Sequence, residues 1–170
     1  VVDKYLSRGK MYPGGQCVNT CVYAKENGIR AAYLGVCGEG VEAQLIEDTL
    51  NTKGIEHDRC RYIPGEGGFA LVTLRDGDRV FLGSNKGGVA RTHLLELTQE
   101  DLAYAQGFSL VYSNCNGFAD RELPKLKAAG IPIAFDFSDR WTPDYLQATL
   151  PWVDIALLSC SHLPAGQREG

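Results

Sequence analysis

The chain has 170 residues, 44% of them hydrophobic and 22% charged, enough for one globular domain with a buried core. Its formal net charge is −4 with no basic block, which argues against nucleic acid or an anionic membrane surface as the main partner. No apolar run approaches the roughly 20 residues needed to span a bilayer, and no charged segment followed by an apolar one marks a secretory leader.

Val1-Val2-Asp3-Lys4-Tyr5-Leu6 reads as the last part of a strand, with Asp3 near its C-terminal end. Pro13-Gly14-Gly15 follows, a tight turn in which a ligand can approach the main chain closely. An apolar stripe at helical spacing (Cys17, Cys21 and Ala24, with Val18 and Val22 beside it) then starts a helix near Gln16, and Gly28 is placed to end it. Asn19 falls in the first turn of that helix, where its amide can reach a polar ligand over the positive dipole end. On its own a Gly-Gly turn is more often a plain surface turn.

Ala31 to Cys37 is a short apolar run suited to a strand buried on both faces, ending at Gly38-Glu39-Gly40. Leu45, Ile46, Thr49 and Leu50 mark a second helix stopped by Gly54. This alternation points to a parallel sheet. The rhythm then breaks. Residues 69–75 and 79–82 flank Asp76-Gly77-Asp78, a strong hairpin signal. Glycines on both sides (Gly67, Gly68, Gly87, Gly88) delimit an antiparallel insertion over about 67–88, read either as a lid and dimer contact or as an edge hairpin of the main sheet.

Alternation resumes with Thr98, which caps a helix through Ala105 with Asp101 as an imperfect capping-box partner. Residues 108–112 form a strand ending at Ser113-Asn114-Cys115-Asn116-Gly117, and a helix with an early Pro124 closes at Gly130. Ile131 to Phe135 is a strand whose end carries Asp136-Phe137-Ser138-Asp139-Arg140-Trp141. Thr142-Pro143 opens the next helix, and Val153 to Leu158 is the last strand, ending at Ser159-Cys160-Ser161-His162. The six cysteines and three histidines are dispersed, with no CxxC pair, and the cysteines read as small reduced hydrophobes rather than metal ligands or disulfides. Both ends read as cuts: the chain opens within an apolar run and stops in a polar tail from Pro164.

In such α/β chains ligands bind outside the carboxyl ends of the strands. Asp3, Glu39, Asn114, Asn116, Asp136, Ser138, Asp139 and Ser159 all lie at expected strand ends, and the Gly14-Gly15 turn opens to the same edge. Hydroxyl-accepting Asp and Asn groups there suit a polyol.

With these residues in place the chain resembles the ribokinase-like carbohydrate kinases, the phosphofructokinase-B family. Gly14, Gly15, Asn19, Gly28 and Gly38 match the family's first signature in order and spacing, while Cys17 and Cys21 stand where small residues are usual. The stretches Cys17-Val18-Asn19, Asp78-Arg79-Val80-Phe81 and Phe135 to Trp141 are most similar to the fructoselysine 6-kinase branch. The resemblance implies a mostly parallel sheet flanked by helices, an inserted lid hairpin, and one sugar-kinase domain over 1–170, here its N-terminal portion. It implies a cytoplasmic kinase using ATP and Mg2+ on a small-molecule sugar, with a homodimer through the lid as a candidate assembly. By the same resemblance Asp3 and Asn19 hydrogen-bond sugar hydroxyls, the Gly14-Gly15 backbone closes over the sugar, and Asp136 faces the nucleotide phosphates.

Departures accompany the match. Ser159 to His162 replaces an Asn-x-x-Glu found in many relatives, so no metal position is assigned, and Gly40 and Ala43 stand where Asp and Gly are more frequent. The family's second signature, a Gly-Ala-Gly-Asp turn carrying the catalytic base and anion hole, has no counterpart in these residues, so no catalytic residue is assigned. Two rivals stay open: a non-catalytic sugar-binding or regulatory fragment of the same fold, and a dinucleotide-binding oxidoreductase, whose G-x-G-x-x-G turn the Gly14 to Asn19 stretch does not fit.

Overall fold

A computed structural model describes residues 1–161 and 163–164. The chain divides into two compact units, Val1–Leu95 and the residues from Glu96 on. The first is built on a four-stranded sheet in the order β2-β1-β5-β6. Its strands are β1 (Val2–Tyr5), β2 (Lys10–Pro13), β5 (Phe69–Arg75) and β6 (Asp78–Ser84). Strand β1 pairs antiparallel with β2 and parallel with β5, and β5 pairs antiparallel with β6. Between these strands in sequence lie α1 (Gln16–Glu26), α2 (Val41–Thr52), and a parallel pair of β3 (Val36–Glu39) with β4 (Arg61–Glu66). The core of this unit joins Val2 of β1, Val18 of α1, Ile46 and Leu50 of α2, and Ile55. Val2 and Lys4 alternate with Asp3, as a pleated strand requires. Lys4 accordingly reaches Glu42 of α2 (2.5 Å) and lies 3.9 Å above the Phe69 ring.

The second unit contains a parallel sheet in the order β7-β8-β9, with β7 (Val111–Asn114), β8 (Ile133–Ser138) and β9 (Ile155–Leu158). Helices α4 (Gln99–Ala105), α5 (Leu123–Ala128) and α6 (Pro143–Thr149) alternate with these strands, and the short α3 (Val89–Thr92) closes the first unit. Ile133, Phe135 and Phe137 of β8 are fully buried against Leu102, Leu123 and Leu126. The Phe135 and Phe137 rings meet edge-on at 4.8 Å, and Tyr145 of α6 continues the contact at 5.4 Å from Phe137.

Helix ends follow the sequence closely. At α1 the Gly28 amide donates to the Lys25 carbonyl (3.0 Å) and the Ile29 amide to the Ala24 carbonyl (2.9 Å), with Gly28 at φ 76. The same pair of bonds ends α2 at Gly54 and α5 at Gly130, in each case with an isoleucine next. These are Schellman motifs, which place a left-handed residue where glycine is least strained. The Thr98–Asp101 capping box is complete: Thr98 Oγ1 accepts from the Asp101 amide and the Asp101 carboxylate from the Thr98 amide.

The strands depart from expectation in several places. Asp3 is the second residue of β1 and lies within the strand rather than at its C-terminal end. The apolar run from Ala31 does not start a ladder: Ala32 makes one bridge to Glu56, and pairing begins at Val36. A Cβ on Gly35 would stand 2.9 Å from the Tyr33 hydroxyl, so this stretch packs against itself before it pairs. The mostly parallel α/β architecture is as expected, with four of the six pairings between named strands parallel; among the described residues these pairings fall into three sheets. The hairpin is joined to β1 through β5 as far as Val72, and only the part beyond it projects. Its bracketing glycines act as a clamp. A Cβ on Gly88 would run into the Glu66 carbonyl oxygen, and Asn85 bonds the Gly67 carbonyl (2.8 Å), the Glu66 carboxylate (3.1 Å) and the Phe69 amide (2.9 Å).

Candidate functional site

Asp3 projects from the face of β1 opposite Lys4, with Tyr12 of β2 directly across the ladder. Tyr12 also packs edge-on against Tyr5 at 5.4 Å. The chain leaves β2 at Pro13, and the Gly14 amide donates back to the Val1 carbonyl (3.0 Å), which carries the turn over β1. That turn brings Gly14 onto Asp3. A Cβ on Gly14 would stand 2.9 Å from Cγ of Asp3 and 3.0 Å from each carboxylate oxygen. The absence of a side chain at position 14 is therefore what makes room for the carboxylate.

The Asp3 side chain is 13% exposed, and one charged neighbour approaches it from β6: Nη1 of Arg79 lies 3.5 Å from Oδ2. Loss of water around the carboxylate pushes its pKa up, and the Arg79 guanidinium opposes that push. Gly15, at φ 88, is the N-cap of α1 and offers no side-chain acceptor to the first-turn amides. The main-chain N–H of Asn19 donates to the Gly15 carbonyl (3.1 Å), and its side chain is exposed in the first turn. Asp3, Gly14 and Arg79 are thus brought together, with Gly15 and Asn19 following in the turn and helix that Gly14 leads into. The sequence marks Arg79 only as part of the Asp78-Arg79-Val80-Phe81 stretch and assigns it no role at the site. It stood in a hairpin beside an Asp-Gly turn, and nothing in the local pattern says that it reaches back to β1.

In the second unit Asp136 lies near the end of β8, paired with Asn114 of β7. Its Oδ1 accepts the Ser138 amide (2.7 Å) and its Oδ2 the Tyr112 hydroxyl (3.3 Å). Ser138 is left-handed at φ 53, so the carboxylate holds a tight turn at the strand end. Beside it the buried Asn114 accepts the Asn116 amide (2.8 Å), and Arg140 donates to the Asn116 side chain (3.0 Å). At the end of β9, Ser159 and Ser161 bond each other (3.0 Å), and His162 lies outside the described residues. Among the described residues no group of three or more His, Cys, Asp or Glu side chains is arranged to hold a metal ion. None of the described helices is long and apolar enough to cross a membrane.

The model of the pfkB family carbohydrate kinases matches residues 1–161. Fructosamine kinase FrlD of Bacillus subtilis (strain 168) is 35% identical over 164 residues, covering 96% of this chain and 57% of the relative. Fructoselysine 6-kinase of Escherichia coli (strain K12) is 31% identical over 158 residues, covering 93% of this chain and 59% of the relative. The chain therefore spans less than two thirds of the length of these curated relatives. Among solved structures, a fructokinase from Xylella fastidiosa with bound ATP superimposes with a TM-score of 0.76 at 19% identity, covering 96% of this chain and 56% of that one. Arabidopsis thaliana ribokinase complexed with ribose and ATP superimposes with a TM-score of 0.72 at 20% identity, covering 88% and 50%. These two likenesses are of fold.

Proposed function

The chain belongs to the pfkB family of carbohydrate kinases and has a ribokinase-like α/β fold, and we propose that it carries the sugar-binding part of an ATP-dependent cytoplasmic kinase acting on a hydroxyl of a fructoselysine-type sugar-amine or a related ketose. The observation that carries this reading is the seat of Asp3 on Gly14. A largely dehydrated carboxylate seated against the Gly14 main chain, with the Arg79 guanidinium on one oxygen, is an acceptor for hydroxyl groups. Asn19 supplies an amide that donates and accepts, which suits a second hydroxyl. The kinship with fructosamine and fructoselysine kinases supports a sugar that carries an amine substituent.

Phosphoryl transfer rests on positioning and charge stabilisation more than on covalent chemistry by the protein. In this reading the chain fixes the acceptor sugar by its hydroxyls and covers it with the hairpin tip. Asp136, in the second unit, is the carboxylate we assign to the nucleotide phosphates, a role in which its charge is useful against a metal-bound phosphate. The described side chains do not make up a magnesium site, so the metal is not assigned to them. Phe81 and Leu82, exposed on the edge strand β6, are the surface we assign to a homodimer.

The test is calorimetric titration of fructoselysine, fructose and ribose into the full-length protein and its Asp3→Ala and Asn19→Ala variants. Each lost hydrogen bond to a sugar hydroxyl should cost about 1–3 kcal/mol. Unchanged affinity for all three sugars in both variants would remove the assignment.

A further inference from the structure

We infer that Arg79 is a positioning residue of the sugar site, supplied by the projecting part of the hairpin to hold the Asp3 carboxylate charged and aimed. The inference rests on the reading of Asp3 as the sugar-binding carboxylate and adds to it a residue from another element.

The topology carries the argument. Pairing of β1 with β5 stops at Tyr5 and Val72, and Arg79 is paired with Leu74, beyond that point. Arg79 therefore belongs to the part of the hairpin that β1 does not hold, yet its Nη1 comes within 3.5 Å of Oδ2 of Asp3. Its guanidinium also lies 5.7 Å from the centre of the Phe81 ring, two residues along the same strand, which restricts where the head can go. An exposed ion pair of this kind contributes little to folding. The two partners are unequally placed, however: the arginine side chain is 56% exposed and the aspartate 13%. The contact consequently acts mainly on the state of Asp3. A protonated Asp3 would keep acceptor capacity on one oxygen and turn the other into a donor, a poorer match for two sugar hydroxyls.

Among the described residues the charged side chain facing Asp3 is Arg79 of β6. Tyr12 faces Asp3 from β2, Gly14 contributes only main chain, and Lys4 is engaged with Glu42 on the other face. Removing Arg79 leaves dehydration less opposed, so Asp3 protonates at higher pH.

The experiment measures sugar affinity by calorimetry from acidic to neutral pH in the full-length protein, for wild type and for Arg79→Gln, Arg79→Lys and Arg75→Gln. Arg79→Gln is expected to weaken binding roughly tenfold at neutral pH and to move the acid limb of the affinity profile upward. Arg79→Lys should return the limb toward its wild-type position, and Arg75→Gln, a charge removed elsewhere on the hairpin, should leave it in place. An Arg79→Gln limb coincident with wild type overturns the inference, as does an equal shift in Arg75→Gln. If Asp3→Ala loses affinity while Arg79→Gln does not, the sugar-site reading stands and this inference alone fails. If Asp3→Ala binds as wild type does, both fail.

Discussion

The carboxylate of Asp3 occupies the space that a side chain at Gly14 would fill, with its carbon 2.9 Å and its two oxygens 3.0 Å from an ideal Cβ. Gly14 is not among the glycines with positive φ, so its requirement is one of space alone. Alanine at position 14 must push Asp3 away or lift the turn from β1. Gly14→Ala should therefore fold but lose sugar affinity by about 1–3 kcal/mol, the cost of a misplaced hydrogen-bonding group. Gly83→Ala, in β6 with nothing within 4 Å of its Cβ position, is the matched control. Titration calorimetry on both decides. Equal affinities would show that Asp3 can move without consequence.

The hairpin should not behave as one mobile flap. Residues 69–72 are held by β1 on one side and β6 on the other, and the Asn85 clamp fixes the base. The part beyond Val72 has a neighbour on one side only, and two strands alone bury little surface. Hydrogen exchange without sugar is expected to be slow at 69–72 and fast at 73–82, with the second segment slowing when sugar is added. Uniform protection across 69–82 in the absence of sugar would mean that the tip is a fixed part of the sheet.

How far these features can be read from sequence depends on the range of the interaction that makes them. Helix ends are local, and Gly28, Gly54 and Gly130 each announced one, as Thr98 and Thr142 announced helix starts. The strands β2 and β4 were not announced. Lys10–Pro13 is mostly exposed and ends in proline, and Arg61–Glu66 contains Pro64 and Gly65, residues that ordinarily argue against a strand. Both form because a partner strand is already in place. The site divides the same way. Glycine at position 14 was legible as a close approach, but what approaches it was supplied by the β1 to β2 return, and the Arg79 contact by the register of β5 with β6.

The three helix-closing glycines should show the cost of left-handed backbone directly. At Gly130, φ is 73 and no atom lies within 4 Å of the Cβ position, so Gly130→Ala adds conformational strain and no clash. We expect a loss of about 1 kcal/mol, read as a lowered Tm. At Gly54, φ is 61 and the nearest atoms belong to the flexible Lys25 side chain, so a similar loss is expected. A larger penalty at Gly54 than at Gly130 by several kcal/mol would point to packing rather than φ.

Asp136 separates two roles that a carboxylate can play at a strand end. Its Oδ1 accepts the Ser138 amide and its Oδ2 the Tyr112 hydroxyl; asparagine can keep the first through its carbonyl oxygen and reverse the second by donating its NH2 to the hydroxyl oxygen, whereas alanine can do neither. If its charge acts on the metal–nucleotide side, Asp136→Asn should keep the wild-type Tm in the full-length protein and weaken MgATP binding, while Asp136→Ala loses both. MgATP affinity unchanged in Asp136→Asn, with Tm lowered only in Asp136→Ala, would confine Asp136 to holding the turn.

Asp3 should be a residue that the fold keeps at the expense of stability. Dehydration raises its folded pKa above the ordinary value, and the Arg79 guanidinium only reduces that rise. The sign of the consequence follows from proton linkage. Below the unfolded pKa, near 3.9, Asp3 is neutral in both states and carries no penalty. As pH rises through the interval up to the folded pKa, the unfolded chain ionises first and the folded state loses ground. Above that interval the loss is complete and constant. Asp3→Asn removes the titration, retains a side chain of the same shape against Gly14, and cannot present a charged acceptor to sugar. Thermal unfolding of the two proteins should therefore converge at acid pH, with Asp3→Asn gaining relative to wild type as pH rises to neutral. Its sugar affinity should lie below that of wild type at neutral pH. A wild type more stable than Asp3→Asn at neutral pH would mean that the Arg79 contact outweighs dehydration, and that Asp3 holds the fold together rather than being held in it for binding.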